Sequence, residues 1–218
     1  MPTLHGFSYS NYYNMPKHAL LYKGVAFEED LVYPSAEGYN ELSPALKVPS
    51  LTTDDGQHLS EAAVLCEYIE DAYPEKPLFP AEPFARNKVR QLMHMAELYI
   101  ELPFRRLIPF SFSGQPAPEQ ILNEVNGVVD RGINSINSLA TFSPWVLGDT
   151  FTMADIYLYY CLSVADMGSA MSKVDLNARI PGLADWRAAF ADDAVSKKVA
   201  EDTAANRESF FEYIKSMS

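Results

Sequence analysis

Hydrophobic and polar positions change rhythm along this chain, and the change falls in the proline-rich stretch between Tyr73 and Phe84. Before it, short apolar runs are separated by turn residues. Leu4 to Phe7 reads as a strand, Lys17 to Tyr22 as part of a helix that Gly24 ends, and Phe27 to Val32, which mixes apolar and acidic residues, as a strand. Pro16 fits the first turn of a helix, which sets the start of that helix no earlier than about Tyr12. The run Lys47 to Glu61, Lys-Val-Pro-Ser-Leu-Thr-Thr-Asp-Asp-Gly-Gln-His-Leu-Ser-Glu, predicts a strand, a tight Asp55-Gly56 turn, a second strand and a helix from Ser60 to about Ala72. Ser60 is placed to cap that helix, with Leu59 and Val64 as a hydrophobic staple. Pattern alone defines a small α/β layer.

Pro74, Pro77, Pro80 and Pro83 bar a continuous helix and mark a linker. Everything beyond it reads as helix. Val89, Leu92, Met93, Ala96, Tyr99 and Ile100 recur at helical spacing as far as Pro103, which is expected to end or kink the element. Val125, Val129, Ile133 and Ile136 belong to a second stripe, inside which Gly127 and Gly132 each weaken the helix by about 1 kcal/mol unless packing requires them. Thr152 and Asp155 form an S/T-x-x-D capping box, with Phe151 and Ile156 at its staple positions.

Composition narrows the classes. An apolar content of 48% in 218 residues supports a buried core in one domain or two small ones. No stretch approaches the roughly 18 apolar residues of a membrane helix, and Met1 to Leu20 lacks the apolar block of a signal peptide. A membrane partner is not expected. The formal charge of −12 argues against nucleic acid, whose phosphates need clustered cations. The two cysteines, Cys66 and Cys161, sit on apolar helix faces, which fits a reducing compartment better than a disulfide scaffold. The histidines His5, His18, His58 and His94 show no paired ligand spacing, so no metal site is expected. A Gly-rich phosphate loop and a G-x-S-x-G elbow are both absent from the sequence.

The order of elements around Lys47 to Glu61 resembles the glutathione-binding half of the soluble glutathione transferases. Leu147-Gly148-Asp149-Thr150-Phe151-Thr152-Met153-Ala154-Asp155 resembles the capping segment of their C-terminal domain, and Ile180-Pro181-Gly182-Leu183-Ala184-Asp185-Trp186 their late helix. The resemblance covers residues 3 to 200 or so and implies a thioredoxin-like N-terminal domain over 1–80 and an all-α C-terminal domain over 86–218. It further implies glutathione as co-substrate, a small apolar electrophile, a homodimer and a cytoplasmic location. A transferase-like fold without catalysis, serving protein interaction or regulation, is the rival reading. Disulfide chemistry is disfavoured because no cysteine stands between Phe7 and Asn14.

The family's reaction depends on ionising the thiol of glutathione, which a hydroxyl donor and a helix N-terminus favour. The window for that donor is Phe7 to Asn14. Ser10, fourteen residues before Gly24, resembles the placement of the serine or cysteine in the serine- and cysteine-type enzymes, with Tyr12 as the alternative donor. A Ser or Asn there also serves simply to turn or cap the chain. A tyrosine-type enzyme would carry its Tyr where this chain has Gly6 and Phe7. By the same resemblance, Val48 pairs through its backbone with the cysteinyl residue, before a cis Pro49, and Lys47 meets the glycyl carboxylate. Glu61 accepts from the γ-glutamyl amine and the Ala62 N–H binds its carboxylate, with Ala62 standing where the family usually has Ser. Leu46 stands where Gly is common. Met95, Tyr99 and Phe104 are candidate walls of the electrophile pocket, or simply core.

Overall fold

The computed structural model describes residues 1–217, which fall into two compact units, Met1–Pro77 with the chain from Asp192 onward, and Leu78–Ala191. The first unit holds β1 (Thr3–Gly6), α1 (Asn11–Lys23), β2 (Glu28–Leu31), α2 (Tyr39–Leu42), β3 (Ser50–Thr52), β4 (His58–Ser60) and α3 (Ala62–Ala72). The second holds α4 (Pro83–Ala96), a π-helical turn over Glu97–Glu101, α5 (Leu102–Arg105), α6 (Ile108–Ser113), α7 (Glu119–Leu139), α8 (Met153–Ser172), α9 (Leu176–Arg179) and α10 (Leu183–Asp192), whose last residue opens the returning segment. The final helix, α11 (Ala194–Ser216), packs on α1 in the first unit. The division expected from the sequence placed that helix with the second domain.

The sheet order is β2-β1-β3-β4. β1 and β2 are parallel, so the chain must cross over between them, and α1 is that crossover. β3 runs antiparallel to both β1 and β4, giving a β–α–β unit followed by a β–β–α unit, the thioredoxin-like order. Leu4, Leu20, Leu51, Leu65 and Ile69 are fully buried and make the shared core of sheet, α1 and α3. Gly24 ends α1 in the left-handed conformation, its N–H bonding the Leu20 and Leu21 carbonyls. Just inside that end, the buried Lys23 ammonium meets Glu70 of α3 at 2.7 Å and the carbonyls of Tyr73 and Lys76, which satisfies all three of its protons.

Two local expectations are corrected. Pro16 lies inside α1, beyond its first turn, because the helix already starts at Asn11. Ser60 does not cap α3: it is the last residue of β4, paired with Ser50, and Glu61 takes the cap position at φ 75°. Cross-strand pairing outweighs the local capping preference, and Val64, expected as part of a staple, is 47% exposed.

In the second unit the expected capping box is present, with Asp155 accepting the N–H of Thr152 at 2.9 Å, that of Val146 at 2.8 Å and the indole N–H of Trp186 at 3.0 Å. Pro103 does disturb its helix: the turn before it widens to a π-helix, and α5 restarts with Pro103 in its first turn. Phe104 is fully buried and packs on Gly168, so it is a core residue; Met95 and Tyr99 are half-buried. No helix among the described residues is long and apolar enough to cross a membrane.

Candidate functional site

The strand register brings the candidate residues to one end of the sheet. His5 of β1 pairs with Ser50 of β3, and Ser50 pairs with Ser60 of β4. Because β3 is antiparallel to both neighbours, the residues after His5, before Ser50 and after Ser60 all leave the sheet on the same side. They are the Phe7–Ser10 loop, the Leu46–Pro49 loop and Glu61. A Cβ on Gly6 would lie 3.2 Å from that of Val48 and 2.5 Å from the Tyr13 ring, so only glycine lets the first two loops come this close.

Two helices start at this end. Ser10 is the N-cap of α1: its Oγ accepts the Tyr13 N–H at 3.4 Å, which leaves the hydroxyl hydrogen available to a ligand. Ser10 therefore sits at the positive end of α1, and the early start of that helix, across Pro16, puts it there. Tyr12 is the second residue of α1 and half-buried. At the other helix, Ala62 is the first residue of α3, and the Glu61 side chain caps none of the first-turn N–H groups. Neither α1 nor α3 carries an acidic residue in its first turn, so both positive ends are unneutralised from within.

The Val48–Pro49 bond is cis. Val48 lies two residues before the start of β3, and its backbone N–H and C=O have no backbone partner among the described residues. It offers a free edge of the kind that an extended peptide pairs with. Lys47 is exposed; its N–H donates to Ser43 Oγ at 3.3 Å and its carbonyl accepts the Tyr39 hydroxyl at 3.1 Å. The Ser50 hydroxyl also donates to Tyr39, so this buried tyrosine holds the loop from below, and burial pushes its own hydroxyl pKa up. Leu46 and Glu61 have φ of 52° and 75°, each costing an L-residue about 1–2 kcal/mol. The left-handed backbone at 46 explains why glycine suits that position.

Sequence reasoning missed the supports. Tyr39 stands behind the Lys47–Pro49 loop, while Asn14 holds the Ser8 carbonyl through its side-chain amide at 2.9 Å. Neither carries a local signal, because their partners are loop backbone groups. A cavity of about 350 Å³ in the first unit shares Phe7 and Ser8 with this end and is otherwise lined by Tyr13, Lys17, Glu29, Asp202 and Asn206 among others, but not by Ser10, Val48, Glu61 or Ala62. Its polar groups bind one another: Glu29 accepts the Tyr13 hydroxyl at 2.7 Å and Lys17 at 2.6 Å, and Lys17 also meets Asp202 at 2.8 Å. Burial, then the adjacent Glu29, push the Tyr13 hydroxyl pKa far up, so it remains a donor.

A thioredoxin-like unit with this convergent end, together with an all-helical unit, defines a class that the comparisons with known proteins identify. Residues 4–77 match the N-terminal domain of glutathione S-transferase and residues 119–189 its C-terminal domain. The chain is 38% identical over 221 aligned positions to a glutathione S-transferase of Pseudomonas putida, covering 99% of each. It is 28% identical to the maleylacetoacetate isomerase of Pseudomonas aeruginosa, over 79% of this chain and 85% of that one. A solved ternary complex of a bacterial glutathione transferase, BphK, superposes with a TM-score of 0.76 at 25% identity, covering 93% of this chain and 99% of that one. The chain belongs to the glutathione S-transferase family.

Proposed function

We propose that glutathione lies across this end of the sheet and that Ser10 holds its sulfur as the thiolate. Two helix starts with no acidic residue in their first turn, beside a Val48 backbone that pairs with no other strand, carry the reading, for they offer anion sites and a peptide edge in one place. In it, Val48 pairs with the cysteinyl residue beside cis Pro49, Lys47 meets the glycyl carboxylate, Glu61 accepts from the γ-glutamyl amine and the Ala62 N–H binds its carboxylate. Ser10 donates to the sulfur, with Tyr12 the alternative donor. A free thiol has a pKa of about 8.5, and each unit of depression corresponds to about 1.4 kcal/mol. A donated hydrogen bond and the helix end supply that bias.

As a family member the chain catalyses a glutathione-dependent transfer or isomerisation. In the transfer, the thiolate attacks an electrophilic carbon, a C–S bond forms and the leaving group departs with its electron pair. A small apolar electrophile is part of the same proposal. So is a homodimer, supported by apolar side chains left exposed at Leu46, Val64, Phe84 and Leu98. A cytoplasmic location is supported by the free, buried Cys66 and Cys161, whose thiols burial pushes up and keeps protonated.

Calorimetric titration with glutathione tests the reading. Wild-type protein is expected to bind, and Glu61→Ala to bind about tenfold more weakly through loss of a charge-assisted contact, with exposed Glu41→Ala unchanged. No binding by wild-type protein would overturn it.

A further inference from the structure

The loop that presents Ser10 is held by a helix nearly two hundred residues away. Tyr9 donates its backbone N–H to Asn206 Oδ1 at 3.0 Å. The Ser8 carbonyl accepts the Thr203 hydroxyl at 2.9 Å as well as the Asn14 amide, while that same hydroxyl lies 2.8 Å from the Val199 carbonyl. One hydroxyl hydrogen serves only one acceptor at a time, so Thr203 shares the Ser8 carbonyl and Asn206 alone serves the Tyr9 amide through a side chain. Ring contacts continue the seam. Phe210 stacks on Tyr9 with centroids 4.5 Å apart and on Phe7 at 5.5 Å, and Tyr213 stacks on Tyr33 at 4.2 Å. Beneath it, buried Lys17 joins α1 to Glu29 and Asp202.

We propose that Asn206 of α11 is a positioning residue for the glutathione reaction: by fixing the Tyr9 amide it sets where the adjacent Ser10 hydroxyl meets the sulfur. The proposal rests on the reading above. A loop left without this bond keeps its aromatic anchors and its connection to α1, but its polypeptide is free to shift between Gly6 and Ser10. Small displacements of a donor from a reacting atom reduce rate more than binding when the rest of the ligand is held elsewhere, here by Val48 and Glu61.

The test compares Asn206→Leu, which removes the acceptor, with Asn206→Asp, which retains it, and Thr203→Val, whose acceptor keeps Asn14. Four readouts are taken on the full chain: exchange of the Tyr9 amide, the apparent pKa of enzyme-bound glutathione, its dissociation constant, and kcat for its conjugation to a small apolar electrophile. Asn206→Leu is expected to speed Tyr9 exchange, raise the bound thiol pKa and lower kcat roughly tenfold while the dissociation constant stays within about twofold. Asn206→Asp restores Tyr9 protection and Thr203→Val changes little. If Asn206→Leu binds glutathione as wild type does, with the same thiol pKa and kcat, the proposal is overturned while the functional reading stands. If wild-type protein binds no glutathione, both fall, and Tyr9 exchange then reports the contact alone.

Discussion

Gly132 of α7 lies so close to Tyr99 of the π-helical turn that a Cβ there would sit 2.6 Å from the Tyr99 carbonyl oxygen. The same Cβ would meet the Ile100 side chain at 2.7 Å, whereas one on Gly127, a turn and a half earlier, would meet nothing. The two glycines of one helix therefore have opposite roles. Gly127→Ala is expected to stabilise the protein by about 0.5–1 kcal/mol, since alanine favours the helix and restricts the unfolded chain. Gly132→Ala is expected to destabilise it by about 2 kcal/mol by forcing two backbones apart. Urea denaturation of both variants checks the contrast.

His18 of α1 is buried, and burial pushes its pKa down to about 4, with Asp193 pulling the other way. The unfolded chain takes up a proton near pH 6.5 that the native state refuses until about 4. Stability from this residue is therefore complete above pH 6.5 and is lost as the pH falls toward 4, by about 3 kcal/mol in all. His18→Gln should flatten the stability profile between those pH values, whatever it does at neutral pH. Denaturant midpoints measured at half-unit pH steps give the slope directly.

Asp155 is fully buried and accepts from two backbone N–H groups, the Thr152 hydroxyl and the Trp186 indole. Burial raises its carboxyl pKa against the pull of those donors. Asp155→Asn turns a four-way acceptor into a group with its own protons facing donors, and should destabilise the chain by about 3 kcal/mol. Asp155→Ala leaves the same donors unpaired and is expected to be no milder. Thermal unfolding of the two variants measures both.

The sequence made much of this visible, for reasons that differ by residue. β1 and the later part of α1 follow from local apolar residues, Gly24 from the need for a left-handed residue, and the Thr152–Asp155 box from reciprocal capping over three residues, whereas β2, mostly acidic and exposed throughout, is held by its parallel pairing with β1. Where local preference met tertiary pairing, pairing won. Ser60 is a better cap than Glu61 in isolation, yet Ser50 holds it in the sheet. Pro16 is tolerated inside α1 because the helix is fixed at both ends, by the Ser10 cap and by Lys23 with Gly24. The attachment of α11 to the first unit was not legible at all. Asn206 and Phe210 act on partners near residue 9, and nothing within their own helix marks them.

The hydroxyl at the start of α1 is the centre of the proposed chemistry, and ultraviolet titration of glutathione bound to the enzyme tests its role most directly. Thiolate absorbance followed against pH in wild type, Ser10→Ala and Tyr12→Phe gives three apparent pKa values for one sulfur. We expect Ser10→Ala to raise the value by about one unit, a loss of about 1.4 kcal/mol, and Tyr12→Phe to leave it in place. An unchanged value in Ser10→Ala beside a raised one in Tyr12→Phe would contradict the assignment.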